Sequence, residues 1–175
     1  MSTGAWLQLA IFLALLLALA WPLARGIDAV MAGRFALGRR LEGPLFKLAG
    51  VRAEEETGWL RYAVGLLVFN GLGVLAVYAL QRWQAVLPFN PQAMAAVAPD
   101  SAFNTAISFV TNTNWQGYGG ESTMSYLTQM LALTVQNFLS AATGIVVVIA
   151  LIRGFARHSA QGIGNVWVDL TRVTL

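Results

Sequence analysis

Long apolar runs separated by polar segments extend along the whole chain. The first run covers residues 1–24, the second residues 62–82 and the third residues 126–152. Each run is long enough to cross a bilayer as an α-helix, which needs about 20 predominantly apolar residues. The pattern therefore predicts an all-α membrane protein with three transmembrane helices.

A shorter apolar segment lies between the second and third runs. Asp100 or Ser101, directly after Pro99, is predicted to be the N-cap of a helix over residues 101–110. Such a helix covers roughly 15 Å, about half of the ~30 Å hydrocarbon core. The polar, glycine-rich residues 111–121 follow it. Together they predict a re-entrant pore helix and filter loop, because irregular backbone is tolerated at membrane depth only inside protein or along a water-filled cavity.

The distribution of charge predicts the orientation of these elements. Only 11% of the residues are charged, against about 25% in soluble proteins. Seven of the eleven basic residues lie within residues 25–61, and three others follow the third run. By the positive-inside rule, residues 25–61 form a cytoplasmic loop, residues 153–175 are cytoplasmic, and the N-terminus lies outside. The net charge of +3 reflects this topology and does not indicate a nucleic-acid surface.

The two cytoplasmic segments carry further predictions. Arg34–Leu48 is predicted to form a short interfacial helix, interrupted at Gly43-Pro44. Glu54–Glu56 either begin the helix of the second span, where carboxylates suit the positive end, or form a solvated charged loop. His158 is interpreted as a solvated residue. Residues 162–175 turn apolar again, and we interpret them as the approach to a fourth helix of a longer protein.

Small and polar residues inside the spans indicate close helix packing. Gly65, Gly71 and Gly73 in the second span are typical of helix–helix contacts, and Asn70 is expected to face protein. In the third span, one helical stripe carries amide, hydroxyl and small side chains, and faces either other helices or a wet cavity. Interhelical packing is the favoured interpretation for most of this stripe. Its members are Gln129, Ala132, Gln136, Ser140 and Thr143.

The loop over residues 111–121 has the chemistry of a cation site. A half-helix that ends at Val110 directs its negative dipole end and free carbonyls into the membrane interior. Successive backbone carbonyls after it favour a weakly hydrated monovalent ion such as K⁺ over divalent ions, which usually need carboxylates. Glu121 either concentrates cations at the mouth or is a solvated loop residue. Gly117-Tyr118-Gly119 matches the Gly-Tyr-Gly of potassium-channel filters but has little specificity. The filter is placed earlier, at Thr111, Asn112, Thr113 and Asn114.

Several long motifs resemble one family of transport proteins. They are Ser108-Phe-Val-Thr-Asn-Thr-Asn-Trp-Gln116, Gly120-Glu-Ser-Thr-Met-Ser-Tyr-Leu-Thr-Gln-Met130 and Leu133-Thr-Val-Gln-Asn-Phe-Leu-Ser-Ala-Ala-Thr-Gly144. These motifs closely resemble the potassium-binding A subunit of the bacterial Kdp potassium-transporting ATPase. Shorter motifs extend the likeness along essentially the whole chain.

The resemblance implies one N-terminal helix and then the first of four channel-like helix–pore-helix–helix repeats, here residues 62–152. It implies that the filter strand falls on Thr111–Asn114 and that Gln116 affects potassium binding. Thr113 stands where the family's other filter segments carry a central glycine, which leaves the backbone geometry of this repeat open. The implied partners are a P-type ATPase catalytic subunit, small accessory subunits and the lipid bilayer.

The functional prediction is a non-catalytic, potassium-binding subunit of an ATP-driven K⁺ uptake pump in the bacterial inner membrane. The chain has neither a G-x-x-x-x-G-K-[ST] motif nor an Asp-Lys-Thr-Gly motif, so ATP hydrolysis is assigned to a partner. With one repeat, the fragment alone is expected to bind K⁺ poorly or not at all. Two alternatives remain: a self-contained homotetrameric cation channel, and a structural membrane protein whose loop is an exterior turn.

Overall fold

The computed structural model describes residues 3–157 and 162–175. Within these residues the regular elements are helical, which confirms the all-α prediction. Three helical stretches are long and apolar enough to cross a membrane. The elements are α1 (Thr3–Met31), α2 (Ala36–Ala49), α3 (Trp59–Trp83), α4 (Pro99–Val110), α5 (Gly120–Thr123), a π-helical segment (Thr128–Thr134), α6 (Val135–Ala156) and α7 (Val166–Thr174).

The chain divides into two compact units, the first containing α1 and α2 and the second spanning Arg52–Thr174. In the first unit, α1 continues past the predicted end at residue 24. The prediction followed the first charge, Arg25, but a charged side chain at a membrane interface does not end a helix. The guanidinium of Arg25 lies over the ring of Trp21, 4.6 Å from its centroid. The helix ends before Gly33, whose φ of 66° suits a left-handed C-cap.

The helix predicted over Arg34–Leu48 is present as α2, and it runs through Pro44 without a break. Proline removes the backbone bond to the carbonyl four residues earlier. That carbonyl belongs to the exposed residue Arg40, where water can replace the missing donor. The predicted interruption at Gly43-Pro44 is therefore wrong.

The acidic run before the second span is a loop, because α3 begins only at Trp59. In this loop the carboxylate of Glu55 lies 3.0 Å from the guanidinium of Arg52 and 2.9 Å from that of Arg61. The hydrogen bond and charge of Arg52, followed by those of Arg61, hold the pKa of Glu55 below its ordinary value. The charged-loop alternative therefore describes this run.

Two of the three glycines in α3 lie at close helix contacts. A Cβ at Gly65 would be 2.6 Å from Val166 Cγ1, and one at Gly73 would be 2.8 Å from Gln136 Oε1. Gly71 has nothing within 4 Å of its Cβ position, so the packing role predicted for it is wrong within this chain. The reason is its position on α3, which turns it away from the neighbouring helices.

We expect Gly65→Ala to lower the thermal stability of the chain and Gly71→Ala to preserve or raise it. The added methyl group at position 65 would overlap Val166, and such overpacking costs about 1–3 kcal/mol. At position 71 the added methyl group meets no neighbour, so only the higher helix propensity of alanine acts there. That propensity stabilises a helix interior by up to ~1 kcal/mol relative to glycine. Thermal unfolding of both variants in one detergent checks the prediction. Equal Tm values would contradict the close contact between α3 and α7.

The third span begins with the π-helical segment, which continues directly into α6. The hydroxyl of Thr134 donates to the carbonyl of Gln129 at 2.9 Å, five residues earlier, which matches the wider π-turn. Along this span Ala132, Gln136 and Ser140 are buried, and the span packs against α3 and α4. The polar and small stripe predicted from the sequence therefore faces other helices of the second unit.

The C-terminal residues, interpreted as the approach to a further helix, contain a helix of their own. α7 packs against α6 and α3 and buries Val166 and Leu170. Asp169 of α7 forms an ion pair with Arg153 of α6. These contacts lie at the C-terminal end of α6, whereas the 111–121 loop contacts α6 near its N-terminal end. His158 lies outside the described residues.

Candidate functional site

The short helix α4 packs with one half of its surface against other helices of the second unit. It packs against α3 and α6, and six of its 12 residues are buried. It begins at Pro99 with Ala98 as N-cap, so the N-cap predicted at Asp100 or Ser101 is wrong. Proline at the first turn has no N–H to satisfy and a φ suited to the helix. At 12 residues α4 is about 18 Å long, which is too short to cross a bilayer.

Residues 111–114, here called the 111–114 segment, turn all their N–H groups back onto α4. The four bonds are Thr111 to the carbonyl of Ile107 at 2.9 Å, Asn112 to Phe109 at 3.3 Å, and Thr113 and Asn114 to Ser108 at 2.9 and 3.2 Å. The carbonyls of Ile107, Ser108 and Phe109 in the last turn of α4, which the sequence predicted to be free, therefore accept bonds from this segment. The backbone N–H groups of the 111–114 segment therefore fix it to the C-terminal end of α4.

The backbone of the 111–114 segment alternates in the sign of φ. Asn112 and Asn114 have φ values of 55° and 56°, whereas Thr111 has φ −82° and Thr113 has no positive φ. Asparagine enters the left-handed region more readily than most residues, because its short side chain can bond locally. A β-branched residue is strongly disfavoured there. Thr113 stands where the family's other filter segments carry a glycine. Its φ is not positive, so its backbone conformation is one that a β-branched residue can adopt.

The carbonyls of the 111–114 segment are open. No donor in residues 3–157 or 162–175 forms a hydrogen bond to any of them, and the four residues are exposed. The open stretch ends at Trp115, whose carbonyl accepts a bond from the Ser108 hydroxyl at 2.8 Å. Consecutive backbone oxygens held in place by their own N–H groups are the kind of ligand that replaces the hydration shell of a monovalent cation.

The side chains of the segment brace one another and reach α6. The hydroxyl oxygens of Thr111 and Thr113 lie 2.6 Å apart. The Asn114 amide donates to Asn112 Oδ1 at 3.3 Å and to Oδ1 of Asn137, on α6, at 2.9 Å. Asn137 was not predicted, and its one signal in the sequence is an amide within an apolar span. The contact ties the segment to the third span as well as to α4.

The remaining candidate residues lie outside this bonded group. Gln116 is exposed, and no hydrogen bond among the described residues joins its side chain to the 111–114 segment. Tyr118 packs against the core of the second unit. Its hydroxyl is buried without a described partner, and burial raises the pKa of the phenol. The Gly-Tyr-Gly motif therefore contributes to packing. Glu121 is exposed in α5, which leaves both of its interpretations open.

One buried side chain, Gln84, bonds both to the chain that precedes α4 and to the chain that leads into the third span. It has no exposed surface. Its Nε2 donates to the carbonyls of Ala95 at 2.6 Å and Thr123 at 2.8 Å, and its Oε1 accepts from Ser125 N at 3.0 Å and Thr128 Oγ1 at 3.1 Å. The chain before α4 and the chain entering the third span are thus held by one amide. The sequence pattern contains no sign of this role.

Comparison with known proteins identifies one family. The family model described as potassium-transporting ATPase A subunit matches residues 10–175. The potassium-transporting ATPase potassium-binding subunit of Dechloromonas aromatica (strain RCB) is 69% identical over 175 residues, covering 100% of this chain and 30% of that protein. The subunit of the same name from Chromobacterium violaceum is 69% identical over 179 residues, with coverages of 100% and 30%.

A third relative of that name, from Bordetella bronchiseptica, is 65% identical over 171 residues, covering 95% of this chain and 29% of that protein. The chain spans about 30% of the length of the curated relatives it matches. The resemblance recognised in the loop motifs is thereby confirmed along the chain. Because the family match runs from residue 10 to residue 175, the chain belongs to the family of the potassium-transporting ATPase A subunit.

Proposed function

We propose that this chain is part of the potassium-binding, channel-like subunit of an ATP-driven K⁺ uptake pump, and that the carbonyls of the 111–114 segment bind the ion. One observation supports this proposal. The N–H groups of the segment donate hydrogen bonds to α4, whereas its carbonyls accept none from the described residues. A dehydrated K⁺ ion needs several such oxygens around it. One segment supplies part of that coordination, and the remaining oxygens come from outside the residues present.

The neutral character of the segment favours K⁺ over divalent cations. Residues 111–120 contain no charged side chain. Ca²⁺ and Mg²⁺ are usually held by carboxylates, whereas carbonyl rings suit the weakly hydrated alkali ions. In this proposal Gln116, exposed two residues beyond the segment, affects the approach of the ion, and Thr111, Asn112, Thr113 and Asn114 provide the backbone ligands.

The proposed setting is the bacterial inner membrane, with the N-terminus outside and the 111–121 loop entering from the exterior. The concentration of basic residues within residues 25–61 supports this orientation. A P-type ATPase catalytic subunit and small accessory subunits are the proposed partners, and ATP hydrolysis takes place on the catalytic subunit. The chain itself acts in ion binding and translocation.

Protection of an introduced cysteine by K⁺ tests the proposal. These 175 residues contain no cysteine, so Thr113→Cys in the full-length subunit of the assembled transporter provides a defined target. Position 113 avoids the left-handed backbone of its neighbours. We expect K⁺, but not Na⁺ at equal ionic strength, to slow alkylation of this cysteine. At exposed Gln92→Cys, neither ion should change the rate. Equal rates at position 113 with and without K⁺ would contradict the proposal.

The homotetrameric channel is the second candidate, because four identical segments could also complete a ring of carbonyls. The mass of the 175-residue chain in mild detergent separates the two functions. A tetramer that binds K⁺ specifically favours the channel. A monomer with no K⁺-specific heat in titration calorimetry agrees with the pump subunit.

A further inference from the structure

Helix α2 has three distinct faces, of which two are exposed and one is buried. Four leucines at positions 37, 41, 45 and 48 are between 46% and 88% exposed. At 100° per residue they fall within an arc of about 80°. The basic side chains Arg39, Arg40 and Lys47 are exposed on another part of the helix. The buried residues Gly38, Glu42 and Phe46 form a third stripe between the leucines and Arg39.

The charges on α2 are complementary to an anionic surface. Glu42 is the single acidic residue of the helix and is buried, so every exposed charge on α2 is positive. Arg40 and Lys47 lie about 60–80° beyond the edge of the leucine arc. At this angle a long basic side chain can reach lipid phosphates while the leucines enter the acyl region.

The connection to α1 brings α2 to the membrane surface. From Arg25 to Met31, α1 extends about 10 Å beyond its apolar run, slightly more than the ~5–8 Å of one headgroup layer in a bilayer with a ~30 Å core and a total thickness of 40–45 Å. The chain then turns at Gly33, where Arg34 N donates to the Ala29 carbonyl at 2.8 Å. An ion pair between Arg34 and Asp28 closes this turn. α2 therefore starts near the outer edge of the headgroup layer.

We propose that α2 binds the bilayer surface beside α1, with its leucine face in the acyl region and with Arg40 and Lys47 on the phosphates of anionic lipids. Two observations distinguish a lipid surface from a protein partner. The leucine face is bordered by cations at the angle of a membrane interface, and only a short turn separates α2 from α1, which is long and apolar enough to cross a membrane. The proposal is independent of ion binding, because it uses no residue of the 111–114 segment.

Spin labels on single cysteines test this arrangement in the full-length protein. The labelled variants are Leu41→Cys and Leu45→Cys on the leucine face. The matched control is Gly43→Cys, which lies about 160° from each of these leucines and has open space at its Cβ position. Each protein is reconstituted into vesicles of phosphatidylcholine alone or mixed with phosphatidylglycerol. Relaxation of the label by oxygen, which concentrates in lipid, is compared with relaxation by a water-soluble nickel chelate.

We expect oxygen to dominate at positions 41 and 45 and nickel to dominate at position 43. The labels at positions 41 and 45 should lie deeper in vesicles that contain phosphatidylglycerol than in vesicles of phosphatidylcholine alone. The double substitution Arg40→Gln with Lys47→Gln should remove this difference between the two lipids. Labels at 41 and 45 that are shielded from both reagents would show that protein covers the face, and labels accessible to nickel would show that it stays in water. Equal depth in both vesicle types would exclude recognition of anionic lipid. Each of these three results overturns the proposal.

Discussion

Gln84→Leu is expected to unfold the end of the second unit that carries the 111–121 loop and to abolish protection of a cysteine at position 113 by K⁺. The substitution removes four hydrogen bonds. Two of the groups that lose a partner, Ser125 N and the Thr128 hydroxyl, belong to buried residues, whereas the bonds to the carbonyls of Ala95 and Thr123 are partly buried. Each unsatisfied buried group costs about 1–3 kcal/mol, so the two buried groups alone imply a loss on the order of 2–6 kcal/mol.

Gln92→Leu is the matched control for this prediction. Gln92 lies between α3 and α4, as Gln84 does, and is exposed, so its replacement by leucine should leave stability and protection unchanged. Thermal unfolding and cysteine modification are measured on both variants. A Gln84→Leu protein with the stability of the parent would show that this amide does not hold the loop region together.

Arg153→Leu is expected to destabilise the second unit almost as strongly at its other end. Asp169 is 2% exposed, and its carboxylate lies 2.5 and 3.0 Å from the guanidinium nitrogens of Arg153. The hydroxyl of Tyr62 donates to the same carboxylate at 2.9 Å. Removing the arginine leaves a buried charge without its counter-ion, which costs about 3–5 kcal/mol. Chemical or thermal unfolding in detergent measures the loss.

Arg157→Gln provides the control, because Arg157 pairs with Glu56 at a half-exposed site. Exposed pairs contribute about 0–1 kcal/mol, so this variant should unfold close to the parent. A combined Arg153→Met and Asp169→Leu protein should be more stable than Arg153→Leu, since no charge is then left buried. If Arg153→Leu and Arg157→Gln lowered stability equally, the buried pair would have no special role.

The half-length helix was predictable because length and composition alone exclude a full crossing. A segment of about ten residues followed by a glycine-rich polar stretch cannot span a core of ~30 Å, and the structure packs that helix against α3 and α6. Its first residue was not predictable from capping preferences, since Pro99 begins the helix without a side-chain cap. The filter at Thr111–Asn114 was placed from the end of this helix and remains a prediction.

Other features of the site depend on residues far apart in the chain. Gln84 bonds to residues 39, 41 and 44 positions away, and Asn114 bonds to Asn137, 23 positions away. No periodicity or composition marks such partners, because each side chain taken alone is an ordinary polar residue near the end of a span. The packing glycines show the same limit, since Gly65 and Gly71 look alike in the sequence and differ only in what lies opposite them.

The sequence by itself determined which parts of this protein can lie in lipid. The reason is that about 20 apolar residues can satisfy their backbone in a bilayer only as a helix. Only the tertiary structure decided which backbone groups of the 111–114 segment have no hydrogen-bond donor among the described residues. That choice depends on the left-handed turns at Asn112 and Asn114 and on the carbonyls of α4 that accept the N–H groups of this segment.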